Sequence, residues 1–361
     1  MMRRILLPLL LACSLISCAS RDAALDTDQT PRSRYTGDVG ESPVGVIPEA
    51  SLRDNARNRE LGMAIEYPTR PGPHPLIVFS HGFGSQAREY AALSSFWASQ
   101  GYVVIRPAHA DVGKGSTASG GRAAWESRPA GDWNARAEDV KLVLDQLDQL
   151  EQRYPELNGK IDRARIGAGG HSYGAQTAML AAGDPRIKAV VMMGPPGPGP
   201  SRGLTEQSFA ALADPALFIV GTAETGADET ETPEWRRRAY ELAPAGDKWL
   251  LTLEGGGYSA YTGRMSAVAP GGQQTVRDPI SDPTNDPTRD PTRDPMRRPS
   301  APTQDRTRAR EGSAGLRTRG AFGTVKAISL AFWDTYLRES TEGRTALEAA
   351  GSRGGVTLER K

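Results

Sequence analysis

A Gly-X-Ser-X-Gly motif between a strand-like and a helix-like segment is the feature that most constrains the fold of this chain. It reads GHSYG at residues 170–174, after the apolar run 165–169 and before an alanine-rich segment. The glycines permit a turn so tight that a Cβ there would clash, and Ser172 is expected to have a strained backbone with its Oγ exposed. Such a turn forms where a parallel strand ends at the carboxyl edge of a sheet.

Short apolar segments alternate with amphipathic ones along the rest of the chain. The strand-like segments are 75–79, 102–105, 165–169, 187–193, 217–220 and 248–253, and helices are predicted at 88–99 and 135–150. Strands that alternate with helices predict an α/β domain with a mostly parallel central sheet and helices on both faces.

A low-complexity segment interrupts this pattern. Between residues 266 and 320, Asp-Pro recurs every four residues and little is apolar. Prolines at that spacing exclude a helix or a central strand, so we predict a disordered insertion within one domain. An apolar helical face returns after residue 321 and predicts a closing helix to residue 350, followed by a tail at 351–361.

A second glycine turn follows the first buried strand. The segment VFSHGFGS places His81 and Gly82 in a tight bend, where His81 is expected to hold the loop by hydrogen bonds. The backbone N–H groups of Phe83 and Tyr173 would then point to the place where an oxyanion could form near Ser172.

With these turns the chain resembles the α/β-hydrolase superfamily, and in particular the dienelactone-hydrolase-like, platelet-activating-factor-acetylhydrolase-like and polyester-hydrolase-like serine esterases of bacteria. The resemblance lies in GHSYGA, PLIVFSHGFGS, GYVVIRPAHAD, LFIVGTAE and AFWDTYL, and covers residues 44–265 and 321–350. It implies an α/β-hydrolase fold and hydrolysis of carboxylic esters by a serine, an acid and a histidine in that chain order. It implies no metal and no cofactor, and an ester substrate that is a small molecule, a lipid or a polyester.

The resemblance implies an acid after the strand at 217–220. The segment GTAETGAD offers Glu224 at the expected place and Asp228 as the fallback. A glutamate can orient an imidazole, although its longer side chain changes the geometry.

The histidine that the resemblance implies is missing. After the strand at 248–253 the glycine-rich turn carries Tyr258, and none of the chain's four histidines follows Ser172. A phenol has a pKa near ~10, so Tyr258 is a poor base unless a positive field lowers that value. His109, in a loop that can border the pocket, is a candidate replacement. Three hypotheses remain open: an esterase with an impaired or unconventional base, an inactive pseudoenzyme that serves as a membrane-tethered binding module, and a single-codon variant of an ordinary enzyme.

The first residues predict export. Arg3 and Arg4 precede an apolar stretch at 5–16 that is too short to span a bilayer, and LISC at residues 15–18 resembles a bacterial lipobox. The resemblance implies a lipoprotein signal peptide at 1–18, a lipid on Cys18, a flexible tether at 19–43, and a location at the membrane facing the periplasm or cell exterior. An ordinary secretory signal, or modification at Cys13, are the alternatives. The net charge of +1 gives no electrostatic reason to expect nucleic acid as a partner.

Overall fold

The computed structural model describes residues 34–111, 132–199, 203–224, 231–263, 266–268, 274–276, 305–351 and 355–361. The strands are β1 Val44–Asp54, β2 Arg59–Pro68, β3 His74–Ser80, β4 Val103–Pro107, β5 Ile161–His171, β6 Ile187–Met193, β7 Ala216–Gly221, β8 Lys248–Leu253, β9 Ser266–Val268, β10 Gln274–Val276 and β11 Val356–Arg360. The helices are α1 Ala91–Ser99, α2 Asp132–Asp145, α3 Leu147–Arg153, α4 Tyr173–Ala181, α5 Glu206–Ala210, α6 Pro233–Leu242, α7 Ser259–Thr262, α8 Asp305–Leu337 and α9 Thr341–Ala350, with 3₁₀ turns at Ala87–Tyr90 and Pro155–Leu157.

The described strands form one nine-stranded sheet in the order β1-β2-β4-β3-β5-β6-β7-β8-β11, and β9 pairs separately with β10. From β4 to β8 neighbouring strands run parallel, whereas β1, β2 and β11 are antiparallel to their neighbours. The carboxyl ends of β3, β5, β7 and β8 therefore meet at one edge. The predicted mostly parallel α/β sheet is confirmed.

Two hydrophobic cores cover the two faces of the sheet. On one face α2, α4 and α6 bury residues such as Val140, Ala175 and Ala239. On the other face α1 and α8 bury Trp97 and Trp333, whose rings meet edge to face at 6.1 Å. The central strands are apolar on both sides because helices cover both of their faces.

The domain begins earlier than the predicted boundary at residue 44. The Tyr35 hydroxyl donates to Asp334 at 3.0 Å, Arg34 donates to the Gln100 carbonyl at 2.9 Å, and the backbone N–H of Gly40 donates to Ser99 at 2.8 Å. The end of the predicted tether is therefore fixed to α1 and α8. Cys13 and Cys18 lie outside the described residues.

The later boundaries also differ from the prediction. Helix α8 begins at Asp305, within the segment predicted as disordered and after its last proline at residue 302. The predicted tail contains β11, which pairs antiparallel with β8 from Val356 to Arg360. The Asp-Pro repeat itself lies outside the described residues. In the part of the chain that is described, no helix combines the length and apolar character needed to cross a bilayer.

Candidate active site

The motif around Ser172 forms a strained turn at the end of β5. Ser172 has φ 53° and ψ −114°, its backbone N–H donates to the Met193 carbonyl at 2.8 Å, and α4 starts at the next residue. A Cβ on Gly170 would overlap the Gly174 backbone, so a larger residue there would push the turn open. A non-glycine residue in this conformation costs about 1–3 kcal/mol and persists only where its surroundings impose it. The half-buried Ser172 is thus held at the carboxyl edge of the sheet.

The second glycine turn packs against this elbow. His81 is buried, its Nδ1 lies 2.7 Å from the Gly82 carbonyl oxygen, and its Nε2 accepts from the backbone N–H of His109 at 3.2 Å. Burial, followed by the charge of Arg136, lowers the pKa of His81 well below its ordinary value. The ring is therefore neutral with its proton on Nδ1, and it holds the loop as predicted.

Glu224, the predicted acid, is buried after β7. Its Oε2 accepts from the Tyr261 hydroxyl at 2.7 Å, and its Oε1 lies 3.7 Å from both His171 Nε2 and Arg236 Nε. Those two distances are too long for hydrogen bonds but within ion-pair range. Burial opposes ionisation, yet His171, Arg236 and Tyr261 outweigh it and lower the pKa of Glu224. A Cβ at Gly194 would overlap this carboxylate, so the glycine makes room for the longer acid.

Tyr258 stands at the edge of the same cluster. Its hydroxyl donates to Glu89 Oε2 at 2.8 Å and lies 3.4 Å from Ser85 Oγ, and its ring meets the His171 ring at 5.1 Å. Although 37% of the residue is exposed, burial of the phenol and the charge of Glu89 raise its pKa to about 12. At neutral pH Tyr258 is therefore a protonated hydrogen-bond donor, and a phenolate base at this position has no electrostatic support.

The other histidines near the elbow are engaged elsewhere. Both ring nitrogens of His109 have partners: Nδ1 donates to Asp139 at 2.8 Å and Nε2 accepts from Ser80 at 3.0 Å. His171 Nδ1 lies 2.8 Å from the Tyr90 hydroxyl. Within the described residues the Ser172 side chain makes no hydrogen bond, so His109 does not take the place of the missing histidine.

Comparison with known proteins agrees with this architecture. A family model described as "Alpha/beta hydrolase family" matches residues 77–319, more than half of the chain. The chain belongs to the α/β-hydrolase family. Platelet-activating factor acetylhydrolase of Cavia porcellus is 26% identical over 135 residues, 29% of this chain and 31% of that protein. The protein of the same name from Canis lupus familiaris is 31% identical over 147 residues, 32% of this chain and 33% of that protein. The matched region thus spans about a third of each relative.

Several residues of this hydrolase site have no signal in the sequence. Glu89 meets Tyr258 and Tyr90 meets His171 only through the fold, because each pair lies far apart in the chain. Arg236 lies on a different element from Glu224 and meets it at 3.7 Å. Tyr261 could have been found, because it lies three residues after Tyr258 in GYSAYTG, a spacing that brings side chains together when a helical turn forms.

Asp228, the fallback acid, lies outside the described residues, so Glu224 is the acid whose surroundings are known. Among the described side chains, no group of three or more His, Cys, Asp or Glu is arranged to hold a metal ion.

Proposed function

We propose that this α/β-hydrolase is a serine carboxylic-ester hydrolase whose turnover is limited by the missing histidine. The observation that carries the proposal is the strained elbow, which holds Ser172 at φ 53°, while the preceding residue, His171, lies 3.7 Å from the buried, ionised Glu224. In the proposal Ser172 is the nucleophile, the N–H groups of Phe83 and Tyr173 stabilise the oxyanion, and Glu224 is the acid. The name of the two relatives, platelet-activating factor acetylhydrolase, favours a short acyl ester as the first substrate.

The proposed reaction is acyl transfer in two steps. The Ser172 Oγ forms a bond to the ester carbonyl carbon and gives its proton to solvent, and the bond from that carbon to the alcohol oxygen breaks as the alcohol takes a proton from solvent. Water then cleaves the acyl-serine bond, which releases the acid and restores the Ser172 hydroxyl. Tyr258 cannot accept the proton at neutral pH, so solvent must take it. In another serine hydrolase, loss of the histidine alone costs ~10⁶-fold in kcat, while ~10³–10⁴-fold over water remains from the oxyanion hole and binding. We expect this protein to exceed that residual rate only by the part that Ser172 contributes with solvent as the base, and this part is what Ser172→Ala should remove.

The test is hydrolysis of p-nitrophenyl acetate by the full chain, its Ser172→Ala variant and Ser51→Ala. Ser51 is a half-buried serine on β1 and serves as the matched control. A rate above background that disappears in Ser172→Ala and persists in Ser51→Ala supports the proposal. Equal rates in all three proteins would contradict it for this substrate.

The second candidate is a binding module without turnover. The bond from Tyr258 to Glu89 favours it, because this bond fills the position of the catalytic base with a donor that cannot accept a proton. Equal rates in the preceding experiment, together with binding of an uncleavable phospholipid ether analogue, would favour this function.

We also propose that the protein is exported and anchored to the membrane by a lipid on Cys18. The apolar stretch at 5–16 and the LISC sequence support this proposal. Metabolic labelling with an alkyne fatty acid should label the wild type and Cys13→Ala but not Cys18→Ala. Label that persists in Cys18→Ala would contradict the assignment.

A further inference from the structure

Arg136 is a buried cation that the proposed chemistry does not use. It lies on α2, its side chain is 3% exposed, and it faces the turn that carries Phe83 rather than Ser172 itself. We propose that Arg136 is a positioning residue that fixes the orientation of both oxyanion donors. This inference rests on the proposed function, because it concerns the same site.

The guanidinium is bonded to the glycine turn and to a carboxylate at once. Nη1 donates to the His81 carbonyl at 2.7 Å and Nη2 lies 3.4 Å from the Gly82 carbonyl. Nε and Nη2 also donate to the two oxygens of Asp111, at 3.0 Å and 2.6 Å. Asp111 in turn accepts from the backbone N–H of Gly84 at 2.8 Å. Arg136 and Asp111 therefore hold the turn on both sides of residue 83.

Peptide planarity converts these bonds into an orientation for Phe83. The Gly82 carbonyl and the Phe83 N–H belong to one planar trans unit and point in opposite directions. Because Arg136 and the His81 ring both lie on the carbonyl side, the Phe83 N–H points away from them. A turn that lost these donors could rotate this peptide plane and carry the N–H out of position.

The same guanidinium contacts the residue that carries the second donor. Its Cζ lies 4.4 Å from the centre of the buried Tyr173 ring, and the Phe83 ring meets Tyr173 edge to face at 5.9 Å. A cation over an aromatic face is attracted by the negative face of the ring. Arg136 is thus in contact with the segment before Phe83 and with the first residue of α4.

The charge of Arg136 is balanced locally. The guanidinium, although opposed by burial, holds the pKa of Asp111 well below its usual range, so the pair is ionic. Arg136 also helps to keep His81 neutral, the form in which the Nδ1 proton binds the Gly82 carbonyl.

A buried ion pair can also serve stability alone, and the chain offers a matched example. Arg106 and Glu66 form a second buried pair between β4 and β2, and Arg106 also donates to a backbone carbonyl, that of Ala87. If Arg136 were merely structural, neutralising either pair would have similar effects on the site. A positioning role predicts that neutralising Arg136 and Asp111 changes the 80–86 turn and kcat much more than neutralising Arg106 and Glu66.

The experiment compares the double variants Arg136→Met/Asp111→Asn and Arg106→Met/Glu66→Gln in the full chain. Each removes one pair without leaving a lone buried charge. The first readout is amide hydrogen exchange of residues 80–86. The second is kcat and KM for p-nitrophenyl acetate, measured in a Tyr258→His background. Arg136→Lys, which keeps the charge but lacks the forked donors, is the milder variant if the first double variant fails to fold.

We expect exchange in the 80–86 turn to become at least about tenfold faster in the Arg136/Asp111 variant and to change less than about twofold in the Arg106/Glu66 variant. We expect kcat to fall about 10- to 100-fold in the first variant with KM within about threefold, since loss of one oxyanion donor costs ~10²–10³-fold in kcat. Equal exchange and equal kcat in the two variants would overturn the inference. If Tyr258→His shows no Ser172-dependent rate, the proposed function fails, and the exchange comparison then tests only whether Arg136 fixes the 80–86 turn.

Discussion

At the scale of single residues, position 258 decides whether Ser172 has a base. The Tyr258 phenol donates to Glu89 and has a pKa of about 12, so it holds its proton throughout the neutral range. An imidazole has an ordinary pKa near ~6.5 and can accept a proton there. Glu224, the buried acid that would stabilise the resulting imidazolium, is already ionised.

We therefore predict that Tyr258→His raises kcat/KM for p-nitrophenyl acetate by at least about tenfold, since a positioned general base contributes ~10²–10⁴-fold. The gain should increase with pH as the new imidazole loses its proton near ~6.5 and should level off above it. A pH–rate profile of the variant beside the wild type measures both effects.

Tyr258→Phe is the matched control, because it breaks the bond to Glu89 without supplying a base. An equal gain in Tyr258→Phe would mean that opening the cluster, not general-base chemistry, raises the rate. The absence of any gain in Tyr258→His would mean that Glu224 does not reach the new ring, since Arg236 and Tyr261 already engage its carboxylate.

The surroundings of Glu224 show what the sequence could and could not predict at this scale. The sequence identifies the region of the acid, because a turn that follows a parallel strand lies at the carboxyl edge of the sheet, where the site forms. The carboxylate's partners His171, Arg236 and Tyr261 come from three separate elements, and no local pattern links them. The need for Gly194 is likewise visible only in three dimensions.

At the scale of elements, residues 264–319 connect two neighbouring points of the domain. Gly263 precedes them, and a Cβ on Gly263 would lie 2.6 Å from the ring of Phe322 on α8. The two ends are therefore close enough for a short connection. The sequence predicted an insertion within one domain because the apolar helical face resumes after it. It did not predict β11, because Val356 and Leu358 alone make a very short alternating pattern.

We predict that replacing residues 264–319, which include the β9–β10 pair and the first part of α8, by a Gly-Ser linker of about six residues leaves the domain folded. Shortening the connection roughly tenfold lowers the entropy cost of closing it by about 2 kcal/mol, which offsets the loss of local contacts. Thermal unfolding of the variant should remain a single cooperative transition near the wild-type Tm. A broad or early transition would show that the replaced residues support the core.

At the scale of the whole molecule, a cluster of buried titratable residues lies just past the carboxyl ends of β3 and β4. His81, His109 and Asp111 lie there beside Arg136, and burial lowers the pKa of both histidines. Hydrophobic patterning predicts the cores but gives no account of this cluster, because the bonds among its members join residues 25 to 55 positions apart in the chain. Its energetic consequence is a dependence of stability on pH.

We predict that the protein loses stability in mild acid, before its carboxylates are protonated. His81 and His109 are neutral in the folded state because burial and Arg136 lower their pKa, whereas in the unfolded chain they take up protons below pH ~6.5. The unfolded state then binds more protons, so the free energy of unfolding falls as pH decreases from about 7 to about 5. The lowered pKa values of Asp111 and Glu224 have the same sign and add a further loss below pH ~4. Thermal unfolding across this range should show Tm falling in both stages, with a shallower first stage in His109→Asn. A Tm that stays constant from pH ~7 to ~5 would contradict the neutral state of the buried histidines.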